Sequence, residues 1–217
     1  MASKACVRIG NEISEWFSVN VGVRQGCVMS PWLFNLYMDG VVREVQARTL
    51  GRGAQLVSDG EEKWEVSQLL FADDTVLVAD SKKKLERLVE EFGRVCKRRK
   101  LKVNVAKSKV MRSARDGIVG EMNIRMDGLV LEEVEVFKYL GSLVTAVGGV
   151  EADVQQRVLE GSKVLGAVRS VLKGRTMSWG VKKTLYQQVI VPTVTYGSET
   201  WGLREADRRR LNVFEMK

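Results

Sequence analysis

Residues 68–80 read QLLFADDTVLVAD, with Asp73 and Asp74 adjacent between two runs of apolar and β-branched residues. On an unbroken strand, neighbouring side chains point to opposite faces. One of the two carboxylates would then enter the core, where an unpaired charge is costly enough to be avoided or protonated. A tight turn at Ala72-Asp73-Asp74 removes the conflict by lifting both onto the tip of a hairpin. Two carboxylates about 4 Å apart repel by roughly 4 kcal/mol at an effective dielectric of 20. A divalent cation between them cancels that repulsion, and hard Mg²⁺ prefers such oxygen ligands. Aspartate is also an ordinary turn former, and acidic hairpin tips are common. The long apolar arms on both sides argue for more than an edge decoration, because they predict a well-buried hairpin.

The rest of the chain limits what chemistry is open to that tip. Its 217 residues contain no histidine, three cysteines (Cys6, Cys27, Cys96) and no CxxC pair. That excludes imidazole mechanisms and a zinc-finger set, and makes a disulfide scaffold a poor fit. The net charge of +8 favours polyanionic partners such as nucleic acid. The first ten residues have no signal-peptide core, and no apolar run is long enough to span a bilayer. A reducing intracellular setting, nuclear or cytoplasmic and not secreted, is the expectation.

Upstream of the aspartates, residues 7–24 alternate loosely, with Gly10-Asn11 as a turn, and predict a β-hairpin. Ser30 and Pro31 suit the N-cap and first position of a helix. Leu33, Leu36, Tyr37, Val41 and Val45 follow at helical spacing and predict one buried stripe. Residues 51–60 read as a loop and residues 64–79 as a hairpin.

Downstream, Ser81 opens a helix with Leu85, Leu88, Val89, Phe92, Val95 and Cys96 on one face. Its cationic end, Lys97-Arg98-Arg99-Lys100, suits the helix dipole. Residues 101–111 alternate as a strand. Asp127-Gly128 is a strong hairpin signal, and residues 134–145 read as another strand pair or a strand and turn. Beyond residue 150, Val154, Val158, Leu165, Val168 and Leu172 define a helix. A second helix over 181–191 is expected to stop at Pro192, and the chain closes in a further helical segment.

With those elements in place, the motifs resemble a family. Phe-Ala-Asp-Asp between apolar strands looks like the two-aspartate motif of reverse transcriptases. Gly-Val-Arg-Gln-Gly-Cys-Val-Met-Ser-Pro, residues 22–31, resembles the motif that precedes it in non-LTR retrotransposon (LINE-type) enzymes. Asn-Val-Ala-Lys-Ser-Lys-Val-Met at 104–111, Phe-Lys-Tyr-Leu-Gly at 137–141 and Tyr-Gly-Ser-Glu-Thr-Trp at 196–201 follow in the family's order.

The resemblance implies an α+β fold. Residues 1–147 would be an incomplete reverse-transcriptase palm, an antiparallel sheet with packed helices. Residues 148–217 would be a mostly helical, thumb-like region. Asp73 and Asp74 would be catalytic ligands of two Mg²⁺ (or Mn²⁺) ions in nucleotidyl transfer. Arg24, Gln25 and Gly26 would lie by the incoming nucleotide and template base. Lys107 would contact the triphosphate, with Asn104 orienting its turn. Tyr139, Leu140 and Gly141 would hold the primer end. RNA template, DNA primer and dNTP are the implied partners, with no membrane.

Family enzymes need a third carboxylate, which the resemblance places upstream of residues 22–31. Glu12 and Glu15 sit in or beside the first hairpin, without the family's aspartate context. The expectation is a fragment, palm end plus thumb, that is inactive alone. Two other classes remain open. One is a non-enzymatic basic module using Lys82-Lys83-Lys84, Lys97 to Lys100 and Arg208-Arg209-Arg210 on a phosphate backbone. The other is a non-functional remnant of a mobile element.

Overall fold

The structure, a computed structural model, describes residues 3–20, 22–57, 63–113, 121–174 and 177–216. Val21 of the first hairpin, and residues 58–60 of the expected loop, lie outside the described residues. The chain divides into two compact units. Met1–Asn104 and Ile124–Val130 form the first; Val105–Asn123 and Leu131–Lys217 form the second.

In the first unit, β1 (Ser3–Ala5) pairs antiparallel with β4 (Phe17–Val19). Between them, β2 (Arg8–Ile9) and β3 (Glu12–Ile13) form the tight hairpin expected around Gly10-Asn11. Helix α1 spans Ser30–Arg48 with Pro31 in its first turn. Ser30 is not the cap: it lies inside the helix, and its hydroxyl donates to the Arg24 carbonyl at 2.8 Å. The side chain thus ties the preceding loop down instead of satisfying a helix N–H.

The expected stripe on α1 is buried only in part. Met38, Val41 and Val45 are buried, whereas Leu33, Leu36 and Tyr37 are exposed. The reason lies in what α1 packs against. Helix α2 (Lys82–Arg98) buries Leu88, Val89, Phe92, Val95 and Cys96, the face its periodicity predicts, and meets α1. Glu44 of α1 pairs with Arg98 and Arg99, and the Tyr37 hydroxyl donates to the Arg99 carbonyl. Among the described residues of α1 before Met38, Ser30 is buried and Phe34 half-buried, and the rest are exposed. Ser81 caps α2 as expected, accepting from the Lys84 N–H at 3.4 Å.

Between the helices, β5 (Ala54–Val57) pairs with β6 (Lys63–Val66), so a strand stands where a loop is expected. Gly53 permits it, because a Cβ there would sit 2.7 Å from the Val66 carbonyl oxygen. Strand β7 (Gln68–Phe71) then turns into β8 (Asp74–Leu77).

Residues 101–111, of which 101–104 close the first stretch of the first unit and 105–111 open the second unit, do not form the expected strand. A turn at Val105–Lys107 leads into β9 (Lys109–Val110). The Asp127-Gly128 signal is realised by β10 (Arg125–Met126) and β11 (Leu129–Val130), which belong to the first unit. Strand β12 (Glu132–Glu133) pairs parallel with β9, and β13 (Val136–Tyr139) pairs antiparallel with β14 (Ser142–Thr145). Every sheet among the described residues has two strands, and all are antiparallel except β9–β12, so the mixed helix-and-strand class expected from the sequence is met by small sheets.

Helix α3 (Glu151–Lys173) runs against a π-helical turn (Tyr186–Ile190), α5 (Val191–Val194) and α6 (Glu205–Glu215), while α4 (Trp179–Leu185) packs on the π-helical turn. Their core is Ile190, Val194 and Phe214, covered by Val158, Val164, Leu165, Val168, Leu172, Tyr186 and Leu211. Pro192 does not stop the helix. Proline lacks an N–H and clashes with the carbonyl four residues back. A π turn just before it shifts the hydrogen-bond register, with the Val191 N–H donating to the Tyr186 carbonyl.

Gly161 of α3 sits where an added Cβ would overlap Val194 and approach Phe214 to 3.1 Å. Alanine has the higher helix propensity by about 1 kcal/mol, yet overpacking costs about 1–3 kcal/mol. Gly161→Ala is therefore expected to destabilise the chain in urea unfolding, and the added Val194→Ala to relieve it. Leu88 is fully buried and Leu36 is exposed. Leu88→Ala should cost about 3 kcal/mol in the same measurement. Leu36→Ala should change stability by no more than about 0.5 kcal/mol.

Candidate active site

Asp73 and Asp74 do reach a hairpin tip. Phe71 pairs with Asp74, leaving Ala72-Asp73 as a two-residue loop. A two-residue loop needs left-handed backbone. Ala72 supplies it, at a φ of 52°. An L-residue there carries a strain of about 1–2 kcal/mol. Asp73 and Asp74 are both exposed.

The hairpin is not well buried, contrary to expectation. Leu69 and Phe71 are exposed, and no residue of β7 or β8 is fully buried. A two-stranded sheet covers one face at most, so one side of each apolar arm meets solvent. Carboxylate oxygens suit Mg²⁺, which keeps several waters and takes few protein ligands. Among the described residues, no group of three or more His, Cys, Asp or Glu side chains gathers at one point. Two carboxylates are thus the donor set of the tip, which fits part of a Mg²⁺ shell.

Arg24, Gln25 and Gly26 lie in the loop before α1. Gln25-Gly26 are the centre of a turn in which the Cys27 N–H donates to the Arg24 carbonyl at 3.3 Å. Gly26 has a φ of 78° with open space beyond its Cα. The turn itself therefore demands glycine. Contact with the Ser30 hydroxyl, then the N–H groups of Met29 and Ser30 at the start of α1, bring the pKa of the exposed Cys27 thiol below its ordinary range. Cys96 behaves oppositely: burial, then the nearby Asp127 charge, pushes its thiol up to about 11.

Lys107, Tyr139, Leu140 and Gly141 belong to the second unit. Lys107 is exposed in the turn whose Ser108 N–H donates to the Val105 carbonyl. Leu140 and Gly141 form the two-residue loop of β13–β14, with φ of 48° and 90°.

Here the structure joins two motifs and adds residues that sequence reasoning missed. The Tyr196 hydroxyl donates to the Leu140 carbonyl at 3.0 Å. Arg157 Nη2 donates to the Gly141 carbonyl at 2.6 Å, and its guanidinium lies 4.5 Å from the Tyr196 ring centre. Asp153 accepts from the Leu143 N–H and from Trp201 Nε1, both at 2.9 Å. Asp153 and Arg157 are buried charges on α3. Glu160 completes the neutralisation, accepting from Arg157 Nη1 at 3.0 Å. The Gln156 amide, then Arg157 and Lys138, hold the Glu160 carboxyl below its usual range. The signal in the sequence is slight: Asp153 and Arg157 stand four apart, each beside a residue of the apolar face.

The basic clusters are largely engaged within the fold. Lys84 pairs with Asp80, Arg98 and Arg99 with Glu44, Arg209 with Glu205, and Arg210 with Asp207 and Glu151. No helix among the described residues is long and apolar enough to cross a membrane.

The sequence profile of the reverse transcriptase (RNA-dependent DNA polymerase) family matches residues 2–144. The chain is 28% identical over 220 aligned positions to the Pol polyprotein of the type-1 retrotransposable element R2 of Popillia japonica, covering 95% of this chain and 29% of that one. It is 24% identical to the R1 counterpart of Nasonia vitripennis, covering 83% of this chain and 52% of that one. A transposon-derived protein of Caenorhabditis elegans is 26% identical over 152 residues, 68% of this chain and 53% of its own. The chain belongs to the reverse transcriptase family, in its non-LTR retrotransposon branch. It spans about half or less of the length of these relatives.

Two outcomes follow from this geometry. Iodoacetamide near pH 8 should label Cys27 well before Cys96, because the thiolate is the nucleophile; peptide mass spectrometry reads the order. Gly141→Ala should destabilise the second unit by about 1–3 kcal/mol. Its φ is left-handed, and a Cβ would stand 2.9 Å from the Tyr196 ring. Thermal unfolding of the variant checks it.

Proposed function

We propose that residues 1–147 are the C-terminal part of a LINE-type reverse-transcriptase palm and that residues 148–217 are a thumb-like helical region. In this reading the chain belongs to an RNA-directed DNA polymerase that works on an RNA template, a DNA primer and dNTPs. A nuclear or cytoplasmic setting goes with that role. The observation that carries the proposal is the two-residue reversal at Ala72-Asp73, which exposes two carboxylates side by side next to a strained alanine. Strain of this kind concentrates where function over-determines the backbone.

Asp73 and Asp74 would hold Mg²⁺ or Mn²⁺. When bound, the metals supply the charge that activates a primer hydroxyl and stabilises leaving pyrophosphate. Arg24, Gln25 and Gly26 border the incoming nucleotide and template base. Their loop is pinned to the start of α1 by Ser30, which supports a fixed rather than adaptable surface. Lys107 meets the triphosphate, and Tyr139, Leu140 and Gly141 hold the primer end. With two carboxylates and no third group beside them among the described residues, the chain alone binds metal weakly and does not polymerise.

Primer extension by the purified chain with Mg²⁺ or Mn²⁺ should give no template-dependent incorporation. Incorporation abolished by Asp73→Asn would overturn the inactivity. Mn²⁺ titration followed by electron paramagnetic resonance should show Asp73→Asn weakening binding at least about tenfold. That is small beside the several kcal/mol a charge contact is worth at an effective dielectric of about 20. Equal affinity in the two proteins removes Asp73 as a ligand.

A further inference from the structure

We propose that Asp153, Arg157 and Tyr196 are positioning residues that hold the Leu140–Gly141 turn by both of its carbonyl groups, so that the tip meets a primer strand through side chains and not through carbonyl oxygens. The inference rests on the assignment of residues 139–141 to the primer end.

A two-residue turn exposes the carbonyls of its central residues unless a donor engages their lone pairs. In this turn both are taken. Tyr196 Oη donates to Leu140 O at 3.0 Å, and Arg157 Nη2 donates to Gly141 O at 2.6 Å. Carbonyl oxygens carry partial negative charge, and a nucleic-acid strand carries a full negative charge per phosphate. A tip rimmed by free carbonyls would repel such a strand. Donation from a cationic guanidinium and a hydroxyl withdraws that charge. It leaves the half-exposed Leu140 side chain as the outward face of the tip.

The anchoring groups are themselves fixed. Arg157 is buried on α3 and flanked by Glu160 and Asp153, at 3.0 and 3.9 Å. Its guanidinium lies over the Tyr196 ring, which orients that hydroxyl. Asp153 holds the strand just past the turn through the Leu143 N–H and clamps the following segment through Trp201. Gly141 and Gly197 allow the close approach. A Cβ on Gly141 would press on the Tyr196 ring, and one on Gly197 would stand 2.5 Å from Ser142 Oγ. Segments far apart in sequence therefore converge on one turn that the packing of the helices does not require.

The test uses the full chain and two conservative variants. Tyr196→Phe keeps the ring under Arg157 and removes one hydrogen bond. Arg157→Lys keeps the charge and loses the planar fork. Hydrogen–deuterium exchange of residues 138–145 should speed up about tenfold in each, the equivalent of one net hydrogen bond. Exchange of residues 54–57 and 63–66 in the other unit should not change. Affinity for a hybrid with a recessed DNA 3′ end should fall about fivefold in Tyr196→Phe, while affinity for unprimed RNA should not move. Unchanged exchange at 138–145 in both variants overturns the inference, as does an equal loss of affinity for both nucleic acids, which marks general loosening. Faster exchange with unaltered affinity for both leaves the anchoring in place and removes the primer-end assignment instead.

Discussion

Two-residue reversals of the backbone place the side chains on which the proposed function turns. Side chains alternate along a strand with period two, so a loop of fixed length sets which face each residue meets. At Ala72-Asp73 that rule brings Asp74 opposite Phe71 and puts Asp73 at the apex. At Leu140-Gly141 it sets Tyr139 opposite Ser142 and turns the next strand toward α3. Lengthening either loop by one residue would slide the pairing and send the carboxylates, or the anchored carbonyls, to the wrong side. Ala72 and Leu140 both take left-handed conformations. That strain is the local cost of keeping these loops so short.

The second constraint is the buried guanidinium of Arg157. A desolvated charge survives in a fold only if its neighbours neutralise and hydrogen-bond it, and removing a partner costs about 3–5 kcal/mol. Its surroundings are assembled from parts of the chain that share no local reason to meet: one turn of α3, the β13–β14 loop, and Tyr196. The apolar core of Ile190, Val194 and Phe214 brings the helices together. Apolar burial has no directional preference of its own. The charge network supplies the direction and fixes which face of α3 meets the hairpin.

Features governed by neighbours in sequence were legible. Ser81 caps α2, Asp127-Gly128 turns a hairpin, and the apolar face of α2 is the face that is buried, because each depends on residues within a few positions. The pair Asp73-Asp74 was legible for the same reason: like charges between apolar arms leave little choice but a reversal. What failed depended on distant partners. The stripe on α1 is continuous in sequence, yet α2 covers only its C-terminal half. Pro192 reads as a stop because the usual rule assumes a regular α-helix on its N-terminal side. Asp153 and Arg157 look like surface charges on an amphipathic helix until Leu143 and Trp201 arrive from 10 and 48 residues away.

The wide turn at Tyr186–Ile190 acts as a phase shifter in the molecule. Each residue of an α-helix advances its azimuth by about 100°. One surplus residue accommodated within a π turn therefore rotates everything downstream by roughly that angle relative to an unbroken helix. Tyr196 and Trp201 lie downstream, and their directed contacts to Leu140 and Asp153 tolerate little angular error. The length of this segment thus carries information that its residue types do not. A homologue that conserves every side chain from 191 to 201 but lacks one position of the Tyr186–Ile190 turn would lose the alignment between its last helices and the hairpin.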